Sequence, residues 1–276
     1  MVWTKVTRAR YRRDAGGYAS DMSDAEWAIV AAHLPVPGRM GRPRRISPRR
    51  IVDALLYILW LGCPWRGLPH DFPPFTTVQY HFYRWRDQGW WSRINAVLVA
   101  RSRTLDHRDP EPSAVIIDSQ SARTAESGGP RGFDAAKKVK GRKRHIATDT
   151  CGRLIEVQVT PANVQDSHGA VPLLKALARR FPALRLAFAD RAYRGQKLLN
   201  AVADPRPWTI EIITRSQRVG HFVPEPRRWV VERTFAWLGR NRRLAKDYEA
   251  STRSQEAWVN LASIRTLSRQ IARADL

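Results

Sequence analysis

Two short runs constrain this chain more than anything else in it: residues 114–118, AVIID, and residues 184–190, LRLAFAD. Each is largely apolar and each closes on an aspartate. A strand that is apolar on both sides must be covered on both sides, and parallel strands lying under helices meet that condition. The surrounding pattern agrees. Residues 144–150 and 154–160 read as two strands around a turn at Cys151-Gly152, with Ile155, Val157 and Val159 alternating as in a hairpin. Helical stretches at 171–181 and 196–203 follow, then a strand at 209–214. The second half is therefore expected to be α/β, a mixed sheet flanked by helices.

The first half is helical. Ser23 to Glu26 form a capping box that opens a helix running to about Leu34, where Pro35 and Pro37 stop it. Ser47 caps a second helix with Pro48 at its first position, and Gly62 ends it. A third helix starts at Thr76 or Thr77, with Val78, Phe82 and Trp85 on one side and Arg84 and Arg86 nearby; a fourth spans about 90–101. Helices joined by a turn, one carrying arginines, suggest a helix-turn-helix-like reader of DNA through Arg84 and Arg86. The connection is long for that motif, and a plain helical bundle is an equal reading. The polar, proline-bearing segment 106–113 is the natural boundary. The expected organisation is a basic flexible arm (1–20), a small all-helical domain (21–105), a linker (106–113) and the α/β domain (114–276).

Charge points to the partner. Lys and Arg total 48 against 25 Asp and Glu, a formal net charge of +23. Such an excess attracts polyanions, nucleic acid first among them. Cys63 and Cys151 are the only cysteines and form no metal-binding or disulfide pattern, which fits a reducing cytoplasm. No apolar run reaches membrane-spanning length, and the basic N-terminus lacks the apolar region of a signal peptide. No membrane partner is expected.

In open α/β sheets chemistry gathers at the carboxyl ends of strands. If the strands ending in Asp118 and Asp190 are parallel neighbours, two carboxylates lie side by side. Like charges so placed call for a cation between them. A third carboxylate comes from residues 230–238, VVERTFAWL, where Val231, Phe235 and Leu238 predict a helix buried along one stripe. Glu232 falls off that stripe, on a face with Arg228, Ala236 and Gly239. Three carboxylates suit Mg²⁺, with Mn²⁺ as a substitute, and two such ions serve phosphodiester chemistry. The plainer reading of any one of these residues is structural: a turn or cap for an aspartate, or an Arg228–Glu232 pair worth about 0.2–0.5 kcal/mol. Asp149 and Asp166 are competing carboxylates, the first beside a turn and the second placed to cap a helix. Between the strands, residues 131–144 form a basic loop with Lys137, Lys138, Lys140, Arg142, Lys143 and Arg144, suited to DNA phosphates.

The segments IIDSQSART, FADRAYRG and RRWVVERTFAWLGRNRRL, with the basic stretch between the first two, resemble the catalytic core of DDE transposases of the IS-five-like insertion-sequence group. The upstream SDAEWAIVAAHLP and CPWRGLPHDFPPFTTVQYHFYRW resemble that group's helical region, so the likeness runs from about Ser20 to Arg265. It implies an RNase H-like fold, with Asp118, Asp190 and Glu232 as catalytic, metal-binding residues. It also implies double-stranded DNA as partner, both terminal inverted repeats and target, and a homodimer or higher synaptic complex. Of the family's Tyr–Arg–Glu–Lys signature, Arg228 and Glu232 are present. Glu225 stands at the tyrosine position and Gly239 at the lysine position, with Arg240 next in line to replace the lysine. The rival readings are a nuclease that cuts without joining and a DNA-binding protein that has lost catalysis. An aspartyl phosphatase is disfavoured because Asp118-Ser119-Gln120 lacks a second aspartate.

Overall fold

The computed structural model describes residues 17–36, 45–204, 208–213 and 226–275, with positions 4, 5, 7, 12 and 13 before them. Helix α1 (Asp24–Ala31) opens on the expected capping box: the Ser23 hydroxyl accepts from the Glu26 N–H, and the Glu26 carboxylate accepts from the Ser23 N–H. Glu26 is nonetheless buried, because the Arg13 guanidinium clamps both its oxygens at 2.6 Å. The segment expected to be a flexible arm is thus held at Arg13, and again at Tyr18, whose ring packs against Tyr57 and Phe72. Helix α2 (Pro48–Leu61) starts at the Ser47 cap and stops at Gly62, whose φ of 72° is one that glycine adopts without a Cβ clash.

Residues 62–74, with a 3-10 turn at Trp65–Gly67, separate α2 from α3 (Phe75–Asp87). The short turn lies instead between α3 and α4 (Trp90–Leu105), where Gly89 has φ 70°. Helix α3 buries Val78, Phe82 and Trp85, the stripe its spacing predicts.

Among the described residues the sheet has six strands: β1 (Ala114–Arg123), β2 (Gly132–Asp134), β3 (Val139–Thr148), β4 (Leu154–Pro161), β5 (Leu186–Ala189) and β6 (Thr209–Ile212). Their order is β2-β3-β1-β5-β6, with β4 also paired to β3. Strand β1 is antiparallel to β3 and parallel to β5, and β5 is parallel to β6. Helix α5 (Asp166–Arg180) precedes β5, and the short α6 (Gln196–Ala201) follows it. Helices α7 (Pro226–Gly239) and α8 (Thr252–Ala274) close the chain. Among the described residues no helix is long and apolar enough to cross a membrane.

Two expectations are corrected here. Residues 131–144 are not a loop; most of them form β2 and the first half of β3. Their charges hid the strand, since a run of lysines and arginines looks solvated until its ion-pair partners are seen. Strand β1 likewise does not end at Asp118 but continues to Arg123, because β3 pairs with it throughout that length.

Helix α8 makes the boundary at 106–113 a change of architecture rather than a gap in packing. It is buried nearly all round, through Trp258, Leu261, Ile264, Leu267 and Ile271. Phe82 of α3 stacks on Trp258 at 4.4 Å, while the Glu256 carboxylate on the same helix accepts from the Val159 N–H of β4 at 2.8 Å. The N-terminal helices and the sheet therefore share one hydrophobic core. Each such buried large side chain contributes about 1.5–3 kcal/mol. Asp149 adds a polar tie. Fully buried, it accepts from the Cys151 and Arg153 N–H groups and from the Arg103 guanidinium of α4, the last at 2.7 Å. Its role is that of a turn-former and cross-link.

Candidate active site

Strand β5 pairs with β1 only as far as Ile116 opposite Phe188. Beyond that point β1 keeps β3 on one side and loses its neighbour on the other. Asp118 stands at this departure, two residues past the last pair and opposite Ile146 of β3. Asp190 follows directly on β5 and lies level with Asp118 if the register is continued. Both are half-buried, each preceded by a buried apolar residue, Ile117 and Ala189.

Each aspartate is oriented by a backbone amide. One Asp118 oxygen accepts from the Ser119 N–H at 2.7 Å. One Asp190 oxygen accepts from the Ala192 N–H at 2.8 Å, capping the 3-10 turn Arg191–Tyr193. The capping role that the plainer reading gives Asp190 is thus real, and it holds the carboxylate at the end of the sheet.

The turn brings in Tyr193, which sequence reasoning did not single out. Its hydroxyl is buried, and burial, then Asp118, Asp166 and Asp190, push the phenol well above its usual pKa. Three carboxylates therefore act on one buried oxygen. Only its position three residues after Asp190 could have flagged it in the sequence. Asp166 lies in the first turn of α5 and is not the cap, a position taken by Gln165. It pairs with the Lys143 ammonium at 2.8 Å, and despite burial this cation keeps its carboxyl below the usual range.

Helix α7 packs on β1, and its Val231, Phe235 and Leu238 are all buried, as their spacing predicts. Glu232 is exposed. Among the described residues no three His, Cys, Asp or Glu side chains converge closely enough to hold a metal ion. Continued by two residues, the β1–β5 register sets Asp118 and Asp190 on neighbouring segments at one end of the sheet, and Glu232 lies on the exposed side of α7. In donor chemistry the two aspartates fit a hard divalent cation: oriented carboxylate oxygens at a half-buried sheet end. Arg240 is exposed beyond the helix end; the Arg228 side chain and Glu225 lie outside the described residues.

The six basic residues of the expected loop divide sharply. Arg142, Lys143 and Arg144 are 0%, 5% and 1% exposed. Arg142 pairs with the buried Asp247 at 2.9 Å and also bonds the Glu249 and Pro130 carbonyls. Lys143 bridges Asp134 and Asp166. Burial pushes Arg144 down to about 10 against the pull of Asp247. These three are internal cations: Arg142 and Lys143 pair with carboxylates, Arg144 donates to the Gln120 side-chain oxygen, and their assignment to DNA phosphates is corrected. Lys137, Lys138 and Lys140 are exposed. Lys137 reaches furthest in, its ammonium donating to the Ser119 carbonyl at 3.1 Å beside Asp118.

The two N-terminal arginines also differ. Arg84 is exposed and donates to the Tyr80 hydroxyl. Arg86 is half-buried, donating to Asp87 and to the Ser254 hydroxyl of α8 at 2.6 Å while lying over the Tyr83 ring.

Comparison with known proteins gives this geometry a context. Residues 109–267 match the family described as transposase DDE domain, and residues 22–95 match that described as putative transposase of IS4/5 family. A putative transposase for insertion sequence element IS402 of Burkholderia cepacia is 33% identical over 58% of this chain and 77% of its own length. An uncharacterized 16.2 kDa protein of the same element is 29% identical, over 39% of this chain and 76% of its own. Protein y4sN of Sinorhizobium fredii, uncharacterized, is 28% identical over 37% of this chain and 75% of its own. No solved structure matches. The DDE match spans 159 of 276 residues, from the linker before β1 into α8, over a helix-flanked mixed sheet of RNase H-like type, and the chain belongs to the DDE transposase family.

Proposed function

We propose that this transposase cuts the phosphodiester at the ends of its element and joins the freed 3′-hydroxyl to target DNA. The observation that carries the reading is the level placement of Asp118 and Asp190 where β5 leaves β1. These two residues would hold Mg²⁺ or Mn²⁺, with Glu232 completing the set. Bound divalent ions supply Lewis-acid stabilisation of the attacking and leaving oxygens of the phosphate. The Ser119 and Ala192 amides orient the two carboxylates, and the Lys137 ammonium beside Ser119 provides a cation for a non-bridging phosphate oxygen. Exposed Lys138, Lys140, Arg84 and Arg240 are placed to meet double-stranded DNA at the inverted repeats and the target. Acting on paired ends calls for a homodimer or larger synaptic complex.

A second reading, a DNA-binding protein without cleavage, draws on one observation: among the described residues no three His, Cys, Asp or Glu side chains form a metal-binding group. One assay separates them. Purified protein is given DNA carrying the repeats that flank its gene, a target plasmid, and Mg²⁺ or Mn²⁺, with Glu232→Gln in parallel. Metal-dependent 3′-hydroxyl ends that join the target, lost in the variant, support the transposase chemistry. Cutting without joining supports a nuclease. Binding without cutting in either metal supports the second reading.

A further inference from the structure

The β2–β3 hairpin carries, besides its lysines, an exposed aromatic ring to which the proposed cleavage chemistry gives no role. Phe133 is 55% exposed and pairs directly across from the exposed Lys140, so ring and ammonium stem rise from one face of the ribbon. Other aromatic rings of this protein lie under arginines: Phe72 under Arg50, Phe75 under Arg66 and Trp90 under Arg93, at 4.8, 5.4 and 4.8 Å. Among the described residues no ring or cation covers Phe133 in this way.

The opposite face makes the hairpin rigid. Asp134 is buried there and accepts from the Ser121 hydroxyl at 2.6 Å and the Lys137 N–H at 3.1 Å. A Cβ on Gly141 would stand 2.0 Å from the Ala122 carbonyl oxygen, so the ribbon lies tight against β1. Lys138 adopts φ 53°, a left-handed conformation that costs a lysine about 1–2 kcal/mol. The tip therefore keeps an exposed cation where glycine or asparagine would sit more easily.

A groove runs from Phe133 past Lys137 and the 162–167 segment to Ala192, two residues after Asp190. Ser121, which ties the hairpin down, is three residues from Asp118, about 10 Å at the rise of a strand.

We infer that this hairpin is a binding subsite for an unpaired nucleotide of a DNA strand, its base on Phe133 and its flanking phosphates on Lys138 and Lys140. Lysines alone serve duplex and single strand alike, but an open aromatic face selects a base whose own faces are free. Its link to the cut rests on the reading of Asp118 and Asp190 as the cleavage site; the subsite itself does not.

The test uses the Asp118→Asn protein with EDTA, so that binding is read without cleavage. The ligands are a single-stranded oligodeoxynucleotide containing 2-aminopurine and the duplex of the same length. Phe133→Ala should weaken single-strand binding by about 10–100-fold and abolish 2-aminopurine quenching, and Phe133→Trp should preserve both. Duplex affinity should change by less than about 3-fold, and Lys140→Ala should reduce the salt dependence by about one phosphate contact. Equal weakening of both ligands by Phe133→Ala, or of neither, overturns the subsite; equal Phe133 dependence with an RNA oligonucleotide overturns its assignment to DNA. Wild-type protein that never cuts while Phe133-dependent binding persists removes the cleavage reading and leaves the hairpin standing. Cutting with no role for Phe133 in binding removes the hairpin alone.

Discussion

Asp118 and Asp190 stand level with one another because the residue offset that pairs Ala114 with Leu186 also separates the two aspartates. The sheet places one carboxylate at the point where β5 leaves and the other on the residue that follows β5. Backbone amides at Ser119 and Ala192 then orient them. Under the proposed function, a pair so held would meet a divalent cation with its carboxylates already oriented.

Replacing either carboxylate should therefore remove chemistry rather than binding. Asp118→Asn and Asp190→Asn are each expected to lower cleavage by about 10³-fold or more, since metal stabilisation is worth several kcal/mol and about 1.4 kcal/mol is tenfold. DNA affinity should hold within a few-fold. Asp190→Ala should in addition lose about 1 kcal/mol of stability with its cap, which asparagine can keep. A cleavage assay beside a denaturant titration checks both parts.

The buried and exposed cations of the hairpin should respond in opposite ways. Arg142→Ala leaves Asp247 buried without its partner and is expected to cost about 3–5 kcal/mol. Lys138→Ala should leave stability unchanged or slightly raised and lower the salt slope of DNA binding by about one contact. Melting curves and binding at several salt concentrations would expose a reversed pattern, which would return Arg142 to the DNA-facing set.

Glu256 should make stability depend on pH. Burial, opposed by the Val159 N–H and helped by the nearby Glu156, pushes its carboxyl up to about 7. A raised pKa means the folded state binds the proton more tightly than the unfolded chain. That stability is fully present below the unfolded value near 4.5 and is lost as pH rises through about 7. Glu256→Gln, which keeps an oxygen for Val159, should flatten the profile and stabilise the protein at pH 8 by on the order of 2 kcal/mol. Unfolding measured between pH 5 and pH 8 on both proteins decides it.

The shared core should make the N-terminal helices and the sheet unfold together. Trp65 and Trp85 report on the helices, and far-ultraviolet dichroism reports on the whole; their denaturation curves should coincide. Asp149→Ala removes the acceptor of Arg103 and Arg153 and should cost about 3–5 kcal/mol. Two resolved transitions in the wild type would show that the linker separates independent domains after all.

Much of this architecture could be read from local pattern. The Ser23 capping box, the Ser47 and Gly62 helix ends and the Val231, Phe235 and Leu238 stripe each depend on residues within one or two turns of helix, and each is present. The apolar runs before Asp118 and Asp190 are strands for the same reason: burial on both faces leaves its mark on consecutive residues. What failed was any inference that needed a partner distant in the chain. The arginines of β3 looked like a solvated loop because Asp247 is 105 residues from Arg142. Tyr193 carried no signal until three aspartates were found around it.

The sequence by itself thus determined most of the elements, the α/β class and the family motifs. Tertiary structure alone decided that Asp118 lies within a long strand at the edge left by β5, that α8 joins helices and sheet in one core, and that Arg142, Lys143 and Arg144 face inward while Lys138 and Lys140 face out. The physical reason is the same in each case. Periodicity and capping are short-range properties written into neighbouring residues, whereas the fate of a charge depends on whether folding brings it a counter-charge or leaves it in water.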